Sequence, residues 1–147
     1  IKTFKRFFYI DIFWYGLCKL LVRYYGFLPA KKFKFGSDSE TKKSHQQSLR
    51  WVYGKWQDSD DNFNYAQKLL SLKLPPSLYF AAVNDQVLGH PKDVERFMAE
   101  SGIGKKRYIL LGKKYGHKVN YDHINMLTHP EAIQDHFQVV VDWLQKS

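Results

Sequence analysis

The chain has 147 residues, a formal charge of +9 at neutral pH, 44% hydrophobic and 25% charged residues. That length is about one domain, enough for a real core, and the balance of residue types is that of a globular protein, not a disordered one. The one cysteine, Cys18, excludes an internal disulfide and fits a reducing, cytoplasmic setting, and no cysteine–histidine cluster has zinc spacing.

The charge is not evenly spread. Residues 1–35 hold eight Lys/Arg against one acid, Asp11, and twelve of the 25 aromatics. Residues 36–147 hold fifteen basic against thirteen acidic residues, so they are nearly balanced. Residues 7–25 form an apolar and aromatic run that predicts a helix of about five turns. The run is apolar on nearly every side, which suggests a helix buried on most faces or resting on lipid. Asp11, Lys19 and Arg23 interrupt it, which argues against a membrane span. Gly26 and Pro29 end it.

Further on, Leu49, Val52 and Trp56 fall at i, i+3 and i+7, one face of an amphipathic helix. QDSDDN, residues 57–62, then breaks it. Its carboxylates lack the glycine and the later glutamate of a calcium loop, so a solvated linker is expected and no metal.

The second half is more regular. LYFAAV, residues 78–83, reads as a buried strand. After the loop NDQVLGHP, Pro91 suits the first position of a helix with Val94, Phe97 and Met98 on one face, and Gly102 is a natural stop. RYILLG, residues 107–112, reads as a second buried strand. KKYGHKVNYDHINMLTH is a loop with helical fragments. Thr128 and Glu131 have capping-box spacing, with Pro130 nearby, for a last helix carrying Ala132, Ile133, Phe137, Val140, Val141 and Leu144. Strand, loop, helix, repeated, predicts an α/β fold with a parallel sheet under helices.

In open α/β sheets, functional groups sit on loops at the carboxyl ends of strands. Asp85 follows the first strand; His117 and His123 follow the second. Neighbouring strands lie ~5 Å apart, so the aspartate can reach a histidine and fix its tautomer, as the acid and base of a nucleophilic triad do. An aspartate after a strand also caps turns, and a loop histidine can equally face solvent.

SLYFAAVNDQVLGHPKDVERFM, from Ser77, resembles the acid-bearing strand and following helix of α/β-hydrolase-fold serine hydrolases. YDHINMLTHPEAIQDHFQVVVDWL, from Tyr121, is similar to the C-terminal tail of acid lipases and related esterases. The first part, with YGFLPAKKFKFG and SLRWVYGKW, resembles the cap inserted over the active site in a group of predicted bacterial α/β hydrolases. This resemblance, over most of residues 8–145, implies a helical cap in residues 1–72 and the C-terminal βαβα part of a hydrolase core in 73–147. It implies Asp85 as the triad acid and His123 as the general base, with His117, which directly follows a glycine, as the fallback base. His90, at a helix start, is expected to be structural.

One departure is large: the chain has no G-x-S-x-G, the turn that bears the nucleophilic serine in that fold. The oxyanion-hole loop that precedes it is missing as well. With Ile1 at its start, the chain is expected to be the C-terminal portion of a longer hydrolase, inactive alone, its missing N-terminal half leaving an open sheet edge that invites oligomerisation. The implied substrate is a small ester or lipid-like molecule, without a cofactor. The basic, aromatic first part raises an alternative, a lipid- or membrane-surface-binding module without catalysis. Nucleic-acid binding is not expected, because no reader motif accompanies the charge.

Overall fold

The computed structural model describes residues 3–146. The chain divides into two units, one ending at Ser71 and the other beginning at Leu72.

The first unit opens at Thr3, whose hydroxyl accepts the Arg6 N–H at 3.1 Å and so caps the helix that follows. Three segments run on without a break: α1 (Phe4–Arg6), a π-helix (Phe7–Leu17) and α2 (Cys18–Tyr25). Eleven residues of π-helix are unusual, since this form is mostly met as single turns. Gly26 ends the run in the left-handed conformation, φ 78°. β1 (Phe27–Leu28) pairs antiparallel with β2 (Glu40–Thr41), and Thr41 caps α3 (Lys42–Val52) by accepting the Ser44 N–H.

Cys18, Val22, Leu28 and Ala30 form the core, with Phe13, Trp14, Leu21 and Phe35 packed on it. α3 adds buried His45, whose Nε2 lies 3.3 Å from the Trp14 carbonyl oxygen. Burial lowers the His45 pKa, which favours the neutral ring. Burial, with help from Glu40, pushes the Cys18 thiol up to about 11, which makes it an inert core residue.

Three expectations for this unit need correction. The opening helix is not buried on most faces: Phe4, Phe7, Phe8, Tyr9, Leu20 and Tyr24 are among its exposed side chains. Trp56 is not on the α3 face, because the helix stops at Val52 and Gly54 turns left-handed at φ 79°. Trp56 instead stacks on Trp51, ring centroids 5.5 Å apart. QDSDDN, expected as a solvated linker, is exposed at Gln57, Asp60, Asp61 and Asn62 but is folded into a tight turn. Asp58 and Asp61 accept the N–H two residues on, and a Gln57–Asn64 bridge closes it ahead of α4 (Tyr65–Leu70).

The second unit is a βαβ arrangement. β3 (Ser77–Ala82) and β4 (Lys106–Leu111) pair in parallel from Ser77↔Lys106 to Ala82↔Leu111, with α5 (Pro91–Glu100) between them in sequence. Pro91 opens α5, His90 caps it through Nδ1, and Gly102 follows its end at φ 69°. The unit is thus mixed helix and sheet with a two-stranded parallel sheet, and among the described residues no third strand joins it. Its core is Ala82, Leu111, Tyr121 and Ala132, with Phe80, Ile109, Met126 and Phe137 against it.

The chain end departs from expectation. Thr128 lies inside the short α6 (Asn125–Thr128), and its hydroxyl donates to the Ile124 carbonyl, so it is no cap. His129 accepts the Glu131 N–H instead and starts a 3-10 turn, Pro130–Gln134. Asp135 (φ −117°, ψ −99°) breaks the helical path, and α7 (Phe137–Lys146) begins after it. Ala132 is buried as the periodicity requires, but Ile133, Val141 and Leu144 are exposed. Among the described residues no helix is long and apolar enough to cross a membrane.

Gly112, just after β4, is bare because Val83 crosses it: an added Cβ would sit 2.6 and 2.8 Å from the two Val83 methyls. Gly112→Ala is expected to lower stability by about 1–3 kcal/mol in urea unfolding. Gly104→Ala, where nothing lies within 4 Å, should be nearly neutral. Equal effects would remove Val83–Gly112 packing as a constraint.

Candidate active site

The two loops at the carboxyl ends of β3 and β4 are stitched together before Asp85 and His123 are reached. The Val83 N–H donates to the Leu111 carbonyl at 3.1 Å, extending the ladder. Asn84 follows with two bonds: its N–H to the Tyr121 carbonyl and its Nδ2 to the Asn120 carbonyl, each 2.9 Å. Asn120 in turn accepts the Lys113 N–H through Oδ1. The residue before Asp85 is therefore bonded to the segment that leads into His123.

Asp85 then turns the chain. Its N–H donates to the Ala82 carbonyl, and its Oδ1 accepts the N–H groups of Val87 and Leu88 at 3.2 and 3.0 Å. Its Oδ2 lies 2.7 Å from Nδ1 of His123. Both readings of this aspartate thus hold at once: it caps its own turn with one oxygen and meets a histidine with the other. Burial pushes the Asp85 carboxyl up, but the N–H groups of Gly89 and Val87 and the His123 ring outweigh it, and the net pKa is below the ordinary value of 3.8. Ionised, Asp85 is an acceptor only, so the proton between them belongs to His123 Nδ1. The neutral ring then carries its lone pair on Nε2. The Asp85 side chain is 4% exposed and that of His123 42%, a buried carboxylate behind an accessible ring.

Asp122 orders the other side of His123. Its Oδ1 accepts the N–H groups of Ile124 and Asn125 at 2.9 and 2.8 Å, which starts α6 directly after the histidine. Gly89 closes over the pair: a Cβ there would lie 2.8 Å from Asp85 Oδ2 and 3.5 Å from His123 Nδ1.

His117 is placed elsewhere. Its Nδ1 lies 2.7 Å from Asp135 Oδ1, while Asp135 Oδ2 accepts the Lys118 N–H at 2.8 Å and the Tyr121 hydroxyl at 3.0 Å. Its side chain is 12% exposed, so this second histidine–carboxylate pair is enclosed. Burial raises the Asp135 carboxyl, yet the His117, Lys118 and Tyr121 donors hold it below the ordinary value. His90 remains a helix cap. No group of three or more His, Cys, Asp or Glu suited to a metal ion occurs among the described residues.

Gly89, Asn84, Tyr121 and Asp135 were not singled out in the sequence. Only Gly89 left a usable signal there, a glycine four residues after the acid and just before the His90–Pro91 helix start. The first unit holds its own cleft of about 370 Å³, lined by Tyr15, Leu49, Arg50, Tyr53 and Lys55. Compared with protein-family models, curated proteins and solved structures, the chain matches none.

Asp85 and Asp135 are both held below 3.8 in the fold. A carboxyl lowered in this way stabilises the fold above its unfolded value and ceases to do so as pH falls through the folded one. Thermal stability is expected to drop below pH ~4, and Asp85→Asn and Asp135→Asn should each flatten that drop. Parent and variants losing stability in parallel would contradict the assignment.

Proposed function

We propose that this chain supplies the acid and base of a Ser–acid–His triad in a serine hydrolase of the α/β-hydrolase type, acting on carboxylic esters. The observation that carries the reading is the 2.7 Å contact between Asp85 and His123 at the carboxyl ends of two adjacent parallel strands. The chain order, acid then histidine, suits it. So does the contrast between a buried carboxylate and an accessible ring.

In this reading His123 Nε2 takes the proton from a serine hydroxyl as that oxygen attacks the ester carbonyl. It then returns the proton to the departing alcohol. Asp85 keeps the proton on Nδ1, holds the ring in place and stabilises the imidazolium that forms; it is not itself protonated. In this reading the nucleophile and the oxyanion donors come from outside these 147 residues, whose sequence contains no G-x-S-x-G. A two-stranded sheet is small for a stable fold, which suits a unit completed by further strands. By itself the chain is proposed to be inactive.

His117 is the weaker choice of base. The ring is enclosed, and its carboxylate partner is also occupied by Lys118 and Tyr121. The test uses the protein from its complete reading frame, with a fluorophosphonate probe and short acyl esters. Labelling is expected for that protein and not for this chain alone. His123→Ala should slow labelling by about 10²–10⁴-fold, and His117→Ala should slow it less. No labelling of the complete protein, or a deeper loss in His117→Ala, would overturn the assignment.

A further inference from the structure

The opening helix packs one side and leaves an apolar side in water. Ile10, Cys18 and Val22 are buried, with Phe13, Trp14 and Leu21 partly so. Phe8, Ile12, Leu17, Leu20 and Tyr24 are exposed, Leu20 by 65% and Tyr24 by 83%. These five are spaced by four, five, three and four residues. The step of five falls inside the π-helix, where hydrogen bonds reach five residues back, as from the Cys18 N–H to the Phe13 carbonyl. The wider turn keeps Leu17 on the same side as Ile12; an α-helix would swing it away, since only residues three and four apart are neighbours there. The π segment thus lines up an exposed apolar stripe opposite the packed one.

Cations flank the stripe. Lys5, Lys19 and Arg23 are exposed on the same helix, and Lys31, Lys32 and Lys34 are exposed in the turn after it, around Phe33. Lys19 stands over the Tyr15 ring and Lys32 over Tyr25. The one acid of this region, Asp11, accepts the Tyr53 hydroxyl.

Soluble proteins rarely leave such a stripe uncovered without a use for it. The charge selects the occupant. Protein interfaces are depleted of lysine, whereas an anionic lipid surface favours lysine and arginine beside aromatic and aliphatic side chains. We propose that this face docks on the surface of an anionic bilayer. The helix lies in the headgroup plane, with Phe8, Ile12, Leu17, Leu20 and Tyr24 toward the acyl chains and the lysines among the phosphates. It does not cross, in keeping with the absence, among the described residues, of a helix long and apolar enough to do so. The inference stands apart from the triad, and its readout is binding, not ester cleavage.

The test is sedimentation of the chain with vesicles of phosphatidylcholine alone, or of two parts phosphatidylcholine to one part phosphatidylglycerol. Binding is expected to the mixed vesicles, to weaken with added salt, and to be about tenfold lower on phosphatidylcholine alone. Leu20→Ser with Tyr24→Ser, and separately Lys19→Glu with Lys32→Glu, should each lower partition about tenfold. All four positions are exposed, and circular dichroism checks that the fold is kept. No sedimentation, equal binding to both vesicle types, or unchanged partition of both double variants would overturn the proposal. So would a dimer that binds no vesicles and dissociates in the Leu20→Ser, Tyr24→Ser variant, which would make a second copy the occupant.

Discussion

The parallel pairing of β3 with β4 does not stop where the strands do. Val83 continues the ladder to Leu111, and Asn84 carries it across to Tyr121 and Asn120 with a main-chain and a side-chain bond. This continuation fixes the second unit's chemistry, because Asp85 starts its turn one residue later and His123 lies two residues beyond Tyr121. A parallel pair has to be joined through a crossover, and here α5 fills that role, so the acid loop and the histidine loop emerge side by side. Bare Gly112 lets Val83 cross, and bare Gly89 leaves room for the carboxylate and ring to meet.

The unit holds two histidine–carboxylate pairs with the same 2.7 Å contact, and their surroundings separate them. Asp135 binds His117, Lys118 and Tyr121, so its carboxylate braces the loop against the start of the last helical region. Tyr121 is fully buried and bonded at both ends, through its hydroxyl to Asp135 and through its carbonyl to Asn84. The enclosed pair thus supports the segment that presents the open one. A buried carboxylate behind a solvent-facing ring is the arrangement a general base needs, with geometry ahead of pKa.

The elements of the second unit were legible because local signals agreed with one another. Both strands are short apolar runs bounded by turn residues, and Pro91 and Gly102 bracket α5 as their backbone preferences dictate. Strand spacing put Asp85 within reach of a histidine on the next loop, either His117 or His123, and the resemblance to α/β hydrolases singled out His123; the setting of the pair followed from neither. Asn84 and Tyr121 bond partners distant in sequence through both main-chain and side-chain groups, which no residue pattern announces, and only Gly89, placed between the acid and the His90–Pro91 helix start, left a signal. The last helix was misplaced because Thr128 and Glu131 have capping-box spacing, while Asp135, drawn to His117 and Tyr121 by tertiary contacts, breaks the path. Trp56 was misplaced because an i, i+7 match was counted across Gly54, which ends the helix. The opening helix was expected over residues 7–25; it ends there but starts three residues earlier, at Phe4. Its buried side packs Cys18 and Val22 against Leu28 and Ala30, a tertiary contact that the evenly apolar run did not disclose, and nothing in the residue pattern marks the π pitch of Phe7–Leu17.

The central claim is that Asp85 fixes the proton of His123 on Nδ1 and leaves Nε2 free to accept one. Long-range proton–nitrogen NMR of the histidine rings at neutral pH reads this directly. The account predicts that His123 holds the Nδ1–H tautomer, the less common one for a free imidazole, and loses that preference in Asp85→Asn. A ring protonated on Nε2, or a tautomer unchanged by Asp85→Asn, would contradict it.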